Sequence, residues 1–219
     1  MNARAAVELS LRALCATALG LVAACSGGAS GTDIPSYQAS ASSGAPESAS
    51  PTATGTASAT ASPLAVESVS TEKYTLVTAP KGLARMEASM LEGFVAADKL
   101  TWDLWFERPG VDKAEEAASG TALEEIKEDY AQWEGITLEG NVRVAIDRVE
   151  ITRSDGLPAG EVSYCVDQSG LTVRDASGKD VSESKGLDGR FGYIATLEFQ
   201  DGTWKIISVE YVSLNECAV

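Results

Sequence analysis

The stretch from residue 26 to residue 63 limits where this chain can fold. Of its 38 residues, 33 are Ser, Gly, Ala, Thr or Pro. With so few apolar side chains to bury, this stretch cannot offset the entropy lost when its backbone is ordered. The sequence therefore predicts a disordered tether there. The residues after it, about 150 in number, are enough for one domain with a single core.

A short apolar run before this tether ends at a cysteine. Residues 13–24 are all small or apolar, a length typical of a signal peptide and too short to span a bilayer. The sequence Leu-Val-Ala-Ala-Cys ending at Cys25 resembles the lipobox of bacterial lipoproteins. The resemblance implies cleavage before Cys25, acylation of that cysteine and a place on the outer face of the cytoplasmic membrane. An ordinary secretory signal, with Cys25 incidental, is the alternative.

These features divide the chain into three segments. Residues 1–24 are the predicted leader, residues 25–65 the lipidated cysteine with its tether, and residues 66–219 the folded domain. The formal net charge of −15 argues against binding nucleic acid or anionic head groups through basic contacts. The membrane is therefore expected as a partner only through Cys25.

The chain contains no histidine. This excludes Ser-His-Asp and Cys-His catalysis and removes the commonest metal ligand. The sequence also has no P-loop or dinucleotide-binding fingerprint, so we expect neither a cofactor nor a metal. Any catalysis would depend on carboxylates, tyrosine or lysine.

The cysteines predict a disulfide in the folded domain. Of the four in the chain, Cys15 leaves with the leader and Cys25 carries the lipid. The remaining two, Cys165 and Cys217, are predicted to pair because the domain is exported. Two buried free thiols are the main alternative. A metal site formed by two cysteines is less favoured, because no histidine could complete it.

Apolar residues at helical spacing dominate the first half of the domain. They predict a helix over about 82–106, ended by Pro109-Gly110, and a short helix over 111–118. A third helix, with a capping box at Thr121-Ala-Leu-Glu, is predicted to end near Gly135. Before these helices, residues 66–77 favour an extended lead-in.

Period-two patterns follow Gly135 and predict antiparallel strands. The alternation slips at Asp147-Arg148, as it does at a β-bulge. Residues 162–167 form the next predicted strand, which Leu171 and Val173 extend. The dipeptide Asp201-Gly202 predicts a tight hairpin, with Phe199 opposite Trp204 and Leu197 opposite Ile206.

Helices followed by a long, bent antiparallel sheet predict an α+β domain. Over residues 70–219 the chain resembles the NTF2-like, cystatin-like cone fold. Residues 164–169 (YCVDQS) and 173–181 (VRDASGKDV) are similar to a stretch in exported NTF2-like proteins of actinobacteria. The resemblance implies a family that includes ketosteroid isomerases, polyketide cyclases, dehydratases and proteins with no known reaction. It also implies a homodimer formed through the open sheet face.

Isomerase chemistry would need a carboxylate base and a tyrosine in one dry pocket. Asp167 is the best candidate base, and Asp147, Tyr130, Tyr164 and Tyr193 are the other candidates. Strand alternation places Asp167 on the face opposite to Tyr164, so the two cannot converge on one substrate. A turn-capping role for Asp167 is the favoured interpretation.

A set of aromatic residues is the candidate lining of a pocket for an apolar ligand, with a packed helix-to-sheet core as the alternative. The set comprises Trp102, Trp105, Tyr130, Trp133 and Tyr164. Of these, Trp102 falls off the apolar stripe of its helix, so it is the one most expected to face a ligand, a partner or water.

The sequence therefore predicts a non-catalytic binding or assembly module on a lipid-anchored, extracytoplasmic protein, with no predicted catalytic residue. Its expected partners are another envelope protein, a second copy of the chain or a small apolar ligand. The alternatives are an envelope enzyme of the isomerase or cyclase type and a carrier of an apolar ligand.

Overall fold

The computed structural model describes residues 62–154 and 156–219. The leader, Cys25 and nearly all of the tether lie outside these residues, so what was predicted of them stays a prediction. The described helices are α1 (Val66–Val69), α2 (Arg85–Glu107), α3 (Ala114–Ala117), α4 (Gly120–Gln132) and α5 (Ser182–Lys185), with a 3-10 turn at Val111–Lys113. The described strands are β1 (Tyr74–Thr78), β2 (Thr137–Gly140), β3 (Val142–Ser154), β4 (Leu157–Asp167), β5 (Leu171–Arg174), β6 (Arg190–Gln200) and β7 (Thr203–Leu214).

Five strands form the main sheet, in the order β1-β3-β4-β6-β7. Strand β1 runs parallel to β3, and every other neighbouring pair in this sheet is antiparallel. Helices α2 and α4 pack against β7, and α2 also contacts β3 and β4. This arrangement confirms the predicted α+β class, with helices packed on a mostly antiparallel sheet.

Two predictions about extended segments are wrong. Leu171 and Val173 do not extend β4, because they lie in β5, which pairs with β2 in a separate two-stranded sheet. The lead-in over 66–77 is not continuously extended, since Val66–Val69 forms one helical turn before β1. The partner of β5 is distant in sequence, so local alternation could not identify it.

The predicted bulge and hairpin are both present. The pairing of β3 with β4 shifts between Ile146 and Arg148, which leaves Asp147 as the exposed extra residue. In the hairpin, Phe199 lies opposite Trp204. Leu197 lies opposite Ile206, as predicted. The turn residues Asp201 and Gly202 have φ angles of 51° and 85°, which suit a two-residue hairpin turn.

Helix α4 starts differently from the prediction. Its N-cap is Ser119, so Thr121 lies inside the first turn and forms no capping box. The amide of Ser119 donates to the carbonyl of Ile206 at 2.9 Å, which ties the start of α4 to strand β7. The entry to this helix is therefore set by a tertiary hydrogen bond rather than by the local sequence.

Helix α2 lies unusually close to the β6–β7 hairpin. A Cβ atom added at Gly93 would be 2.5 Å from the Cβ of Trp204, so only glycine permits this approach. The buried side chains of the helix, among them Phe94 and Leu91, pack into the same core as the sheet. Among the described helices, none is long and apolar enough to cross a membrane.

Cys165 and Cys217 form a disulfide, as predicted, and their Cα atoms are 5.8 Å apart. The bond joins β4 to the segment that follows β7, across a sequence separation of 52 residues.

Candidate functional site

The candidate site is a cleft between two helices and the sheet, here called the Asp98 cleft. Four elements enclose it: helices α2 and α4 and the facing strands β4 and β7. Its lining comprises Asp98, Thr101, Ala122, Glu125, Ile126, Asp129, Tyr164, Ile206 and Val209.

Asp98 is a charged residue in an apolar position of helix α2. It lies four residues after Phe94 and seven after Leu91, so it shares their buried stripe. Only 6% of Asp98 is exposed. Its Oδ2 accepts a hydrogen bond of 2.9 Å from the hydroxyl of Tyr74, and its Oδ1 accepts none from any described residue.

Burial changes the acidity of this group. Desolvation raises the pKa of Asp98 from 3.8 to about 7, although the hydrogen bond from Tyr74 acts to lower it. Burial and the nearby Asp98 carboxylate raise the pKa of the Tyr74 hydroxyl far above its ordinary value, so the proton stays on the tyrosine. Near neutral pH, Asp98 is therefore close to half ionised in a site with little water.

Tyr164 places a second polar group in the cleft. Its ring packs edge-on against Phe94, with centroids 4.8 Å apart, and lies 5.5 Å from the ring of Tyr193. The residue is 5% exposed, and its hydroxyl forms no hydrogen bond with a described residue. Burial and then Asp98 raise the pKa of Tyr164, so this hydroxyl is a protonated donor.

Two further acids lie in the lining contributed by α4. Burial, with smaller contributions from neighbouring carboxylates, raises the pKa of Glu125 and also that of Asp129. No lysine or arginine lines the cleft. In the part of the chain that the structure describes, no three acids or cysteines converge as metal ligands.

The cleft is small and partly open. Its cavity volume is about 30 Å³, which is room for about two waters. Ile126, Ile206 and Val209 give it an apolar wall. It can hold a small polar head group against Asp98 and Tyr164, while a short apolar part lies along the wall.

The predicted aromatic pocket does not form as one set. Tyr164 alone lines the Asp98 cleft. Trp105 lies in a separate cluster, with its ring 5.9 Å from Tyr130 and 5.9 Å from Trp133. The guanidinium of Arg108 covers the Tyr130 ring at 3.6 Å.

Trp102, the residue off the apolar stripe, is half-buried and packs 6.2 Å from the ring of Phe106. The structure therefore places four of the five predicted residues outside the Asp98 cleft.

Asp167, the best candidate base from the sequence, has a different role. Its Oδ1 accepts from the amide of Ser169 at 3.0 Å and from the hydroxyl at 2.6 Å, which caps the turn after β4. Its Oδ2 accepts from Arg143 at 3.2 Å. Although burial acts to raise it, these hydrogen bonds and the Arg143 charge lower the pKa of Asp167. The favoured turn interpretation is confirmed, and Asp147 is exposed on its bulge.

The sequence analysis missed Asp98 and Tyr74. The available signal was an acid in step with Leu91 and Phe94 on the apolar stripe of a predicted helix. Tyr74 could not be linked to Asp98 in advance, because β1 joins the sheet by a parallel pairing with β3.

Comparison with known proteins adds similarities of fold. No protein-family model matches the chain, and no curated protein matches it. The intermembrane space region of the chloroplast protein ARC6 is 12% identical, with 61% of this chain and 99% of that one covered and a TM-score of 0.40. An NTF2-like protein from Cytophaga hutchinsonii is 14% identical over 56% of this chain and 97% of its own, with a TM-score of 0.35.

A third solved structure, from Shewanella frigidimarina, is described only provisionally as a ketosteroid isomerase. It is 16% identical over 58% of this chain and 94% of its own, with a TM-score of 0.26. Similarity at this level carries no argument about function. The function must therefore be argued from the Asp98 cleft itself.

Proposed function

We propose that this chain is a lipid-anchored extracytoplasmic protein whose folded domain binds a small ligand without transforming it. One observation carries the binding role: Asp98 and Tyr164, both largely buried, line the same cleft. Each has a polar atom that no described residue pairs, the Oδ1 of Asp98 and the hydroxyl of Tyr164. Neither atom is among the described side-chain atoms that are buried without a partner, so both open into the cleft, where a ligand can hydrogen-bond them.

Between the binding and assembly roles, the cleft supports binding. It is concave and is lined by apolar side chains together with a few polar groups. Its cavity volume of about 30 Å³ suits a small head group.

The anchoring part of the proposal depends on the sequence that ends at Cys25. A lipidated Cys25 and the polar tract after it would hold the domain away from the head groups, as a flexible linker does. Replacing Cys25 by Ala should abolish metabolic labelling with a fatty-acid analogue. Cys15→Ala is the matched control, because the leader that contains it is removed, and it should leave labelling intact. Labelling that persists in Cys25→Ala would disprove lipidation at this residue.

Native mass spectrometry tests the binding role. The full chain, purified from the envelope of its own host in mild detergent, should carry a bound small molecule. The Asp98→Asn and Tyr164→Phe variants should lose it, while Asp147→Asn, altered at the exposed bulge, should keep it. A ligand retained equally by all variants, or wild-type protein that is always empty, would contradict the proposal.

An isomerase-type enzyme is the second candidate, and one observation favours it. The pKa of Asp98 is about 7, which is suited to a general base at neutral pH, and two tyrosines lie beside it. Against this role, Oδ2 is already hydrogen-bonded to Tyr74, and the cleft has no room for a multi-ring substrate.

The two functions separate in one assay. We expect the full chain not to accelerate the isomerisation of a β,γ-unsaturated ketone beyond the buffer rate. Acceleration that disappears in Asp98→Asn and remains in Asp103→Asn would establish the enzyme instead.

A further inference from the structure

The charges of the Asp98 cleft all have one sign. Asp98, Glu125 and Asp129 contribute three carboxyl groups to its lining, and no basic residue lines it. The lysines of the same helices are engaged with other acids. Lys99 pairs with Asp103 at 2.6 Å, and Lys127 pairs with Glu115 at 3.0 Å. The negative charge in the cleft is therefore not neutralised by a basic side chain of its own lining.

The hydroxyl of Tyr164 is an independent sign of a ligand. Tyr164 is 5% exposed and lines the cleft, and its hydroxyl has no hydrogen-bond partner among the described residues. The hydroxyl is not among the described atoms that are buried without a partner, so it opens into the cleft. The Oδ1 of Asp98 lies in the same cleft, equally unpaired. The Oδ1 of Asp98 accepts hydrogen bonds, and the hydroxyl of Tyr164 can accept one as well. Together they suit a head group with several donors, such as the ammonium of a protonated primary amine, which carries three N–H bonds. A hydrogen bond to a charged acid is also stronger than one to a neutral group.

The remaining lining determines what kind of cation fits. The acids lie along the cleft and do not converge as metal ligands within the described part of the chain. Ile126, Ile206 and Val209 present an apolar surface beside them. A bare metal ion would gain nothing from that surface, whereas an alkyl chain would bury apolar area against it.

We infer that the Asp98 cleft binds a small organic cation, whose ammonium group hydrogen-bonds Asp98 and Tyr164 while its alkyl part lies against Ile126, Ile206 and Val209. This inference rests on the proposed binding function and names the class of its ligand. Glu125 and Asp129 add attraction for the approaching cation without contacting its head group.

Three probes of equal length test the charge preference. The full chain is titrated with n-butylammonium, n-butanol and butyrate, and binding is followed by the methyl NMR signals of Ile126, Ile206 and Val209. The ammonium should bind at least about tenfold more tightly than the alcohol, because it adds a charge-assisted hydrogen bond. Butyrate should not bind.

Variants locate the head group. Asp98→Asn keeps an acceptor for Tyr74 but removes the charge, so n-butylammonium should bind about tenfold more weakly. Tyr164→Phe should weaken it by a smaller factor. The control is Asp103→Asn, which removes one charge from the same helix outside the cleft lining and should leave the affinity within about twofold.

The affinity should also depend on pH. The titratable groups around Asp98 are Tyr74 on β1, Tyr164 on β4 and Tyr193 on β6, with Glu125 and Asp129 of α4 in the same cleft lining. Since the pKa of Asp98 is about 7, its ionised fraction rises about tenfold between pH 6 and pH 8, and the affinity for n-butylammonium should rise with it. In Asp98→Asn this rise should disappear.

Two results would overturn the inference, and they differ in what they say of the proposed function. If n-butanol binds as tightly as n-butylammonium and Tyr164→Phe weakens both, the cleft binds ligands but does not select cations. If none of the three probes moves the methyl signals, the inference fails together with the binding role of the cleft.

Discussion

Two aspartates of this domain are withdrawn from water, and the protein surrounds them in opposite ways. At the end of β4, Asp167 accepts two hydrogen bonds from Ser169 and one from Arg143. In the Asp98 cleft, Asp98 accepts one hydrogen bond, from Tyr74, and no basic residue faces it. Consequently the pKa of Asp167 is lowered, while that of Asp98 is raised to about 7.

The difference separates a structural acid from a candidate binding residue. At the β4 corner, which we define as Cys165, Asp167, Ser169 and Arg143, both carboxylate oxygens of Asp167 are hydrogen-bonded within the folded chain. The disulfide at Cys165, the turn capped by Asp167 and the ion pair between Asp167 and Arg143 all lie at this end of β4. In the Asp98 cleft, the Oδ1 of Asp98 and the hydroxyl of Tyr164 instead open into the cleft and have no partner among the described residues. An acid of raised pKa with unpaired polar groups in a cleft is typical of sites that bind or react.

The largest expected effect concerns Asp98 and pH. A carboxyl group whose pKa is higher in the folded than in the unfolded state binds its proton more tightly when folded. Its contribution to stability is therefore full below about pH 4 and is lost as the pH rises through about 7. Between pH 4 and pH 8, the free energy of unfolding of the wild type should therefore fall by about 4 kcal/mol relative to that of Asp98→Asn.

Urea denaturation at several pH values measures this shift. Asp103→Asn serves as the control, because it removes the same charge from helix α2 outside the cleft. A wild-type curve parallel to that of Asp98→Asn would mean that Asp98 is solvated or paired, and the contrast with Asp167 would be lost.

The next effect concerns the disulfide at the β4 corner. Replacing Cys165 and Cys217 together by Ser releases a closed loop with a sequence separation of 52 residues. The free energy of unfolding should fall by about 3–4 kcal/mol, because the unfolded chain gains conformational entropy. The pH-dependent difference caused by Asp98→Asn should persist in this background, because Asp98 lies on α2 and Cys165 points to the face of β4 opposite to Tyr164.

Wild-type protein treated with a reductant provides a second route to the same state. A loss of stability below about 1 kcal/mol by both routes would show that the corner does not depend on the disulfide. Disappearance of the Asp98 effect would show that the two regions are coupled.

The sequence predicts the β4 corner, the β6–β7 hairpin and the bulge in β3 well and the cleft poorly, for a physical reason. The hairpin, the bulge at Asp147 and the turn role of Asp167 depend on residues close in sequence, whose alternation and turn chemistry are readable. The cleft depends on Tyr74 reaching α2 from a parallel edge strand, and on α4 being tied to β7 through Ser119. Neither contact has a local signature.

The aromatic residues show the same limit. Helical spacing correctly indicated that Trp105 and Trp133 are buried, but it could not decide whether they line a cavity or pack on each other. Tyr164, on strand β4, lines the cleft because Asp98 and helix α4 face it. Whether a residue belongs to a site depends on its tertiary contacts. For the Asp98 cleft, the local clue in the sequence is an acid on the apolar stripe of a helix.

The smallest expected effect tests the structural role of Asp167. Asp167→Asn retains an acceptor for Ser169 but loses the charge that Arg143 faces, and Arg143 is about half exposed. Since exposed ion pairs are weak, the free energy of unfolding at pH 7 should fall by only about 1 kcal/mol. Because the pKa of Asp167 is lowered by folding, this contribution should be present above about pH 4 and vanish as the pH falls below it, the reverse of the Asp98 trend.

Asp147→Asn, on the exposed bulge, is the matched control and should leave the stability unchanged. If Asp167→Asn instead weakened ligand binding without changing stability, the acid at the β4 corner would belong to a site after all, and the contrast between the two aspartates would have to be reversed.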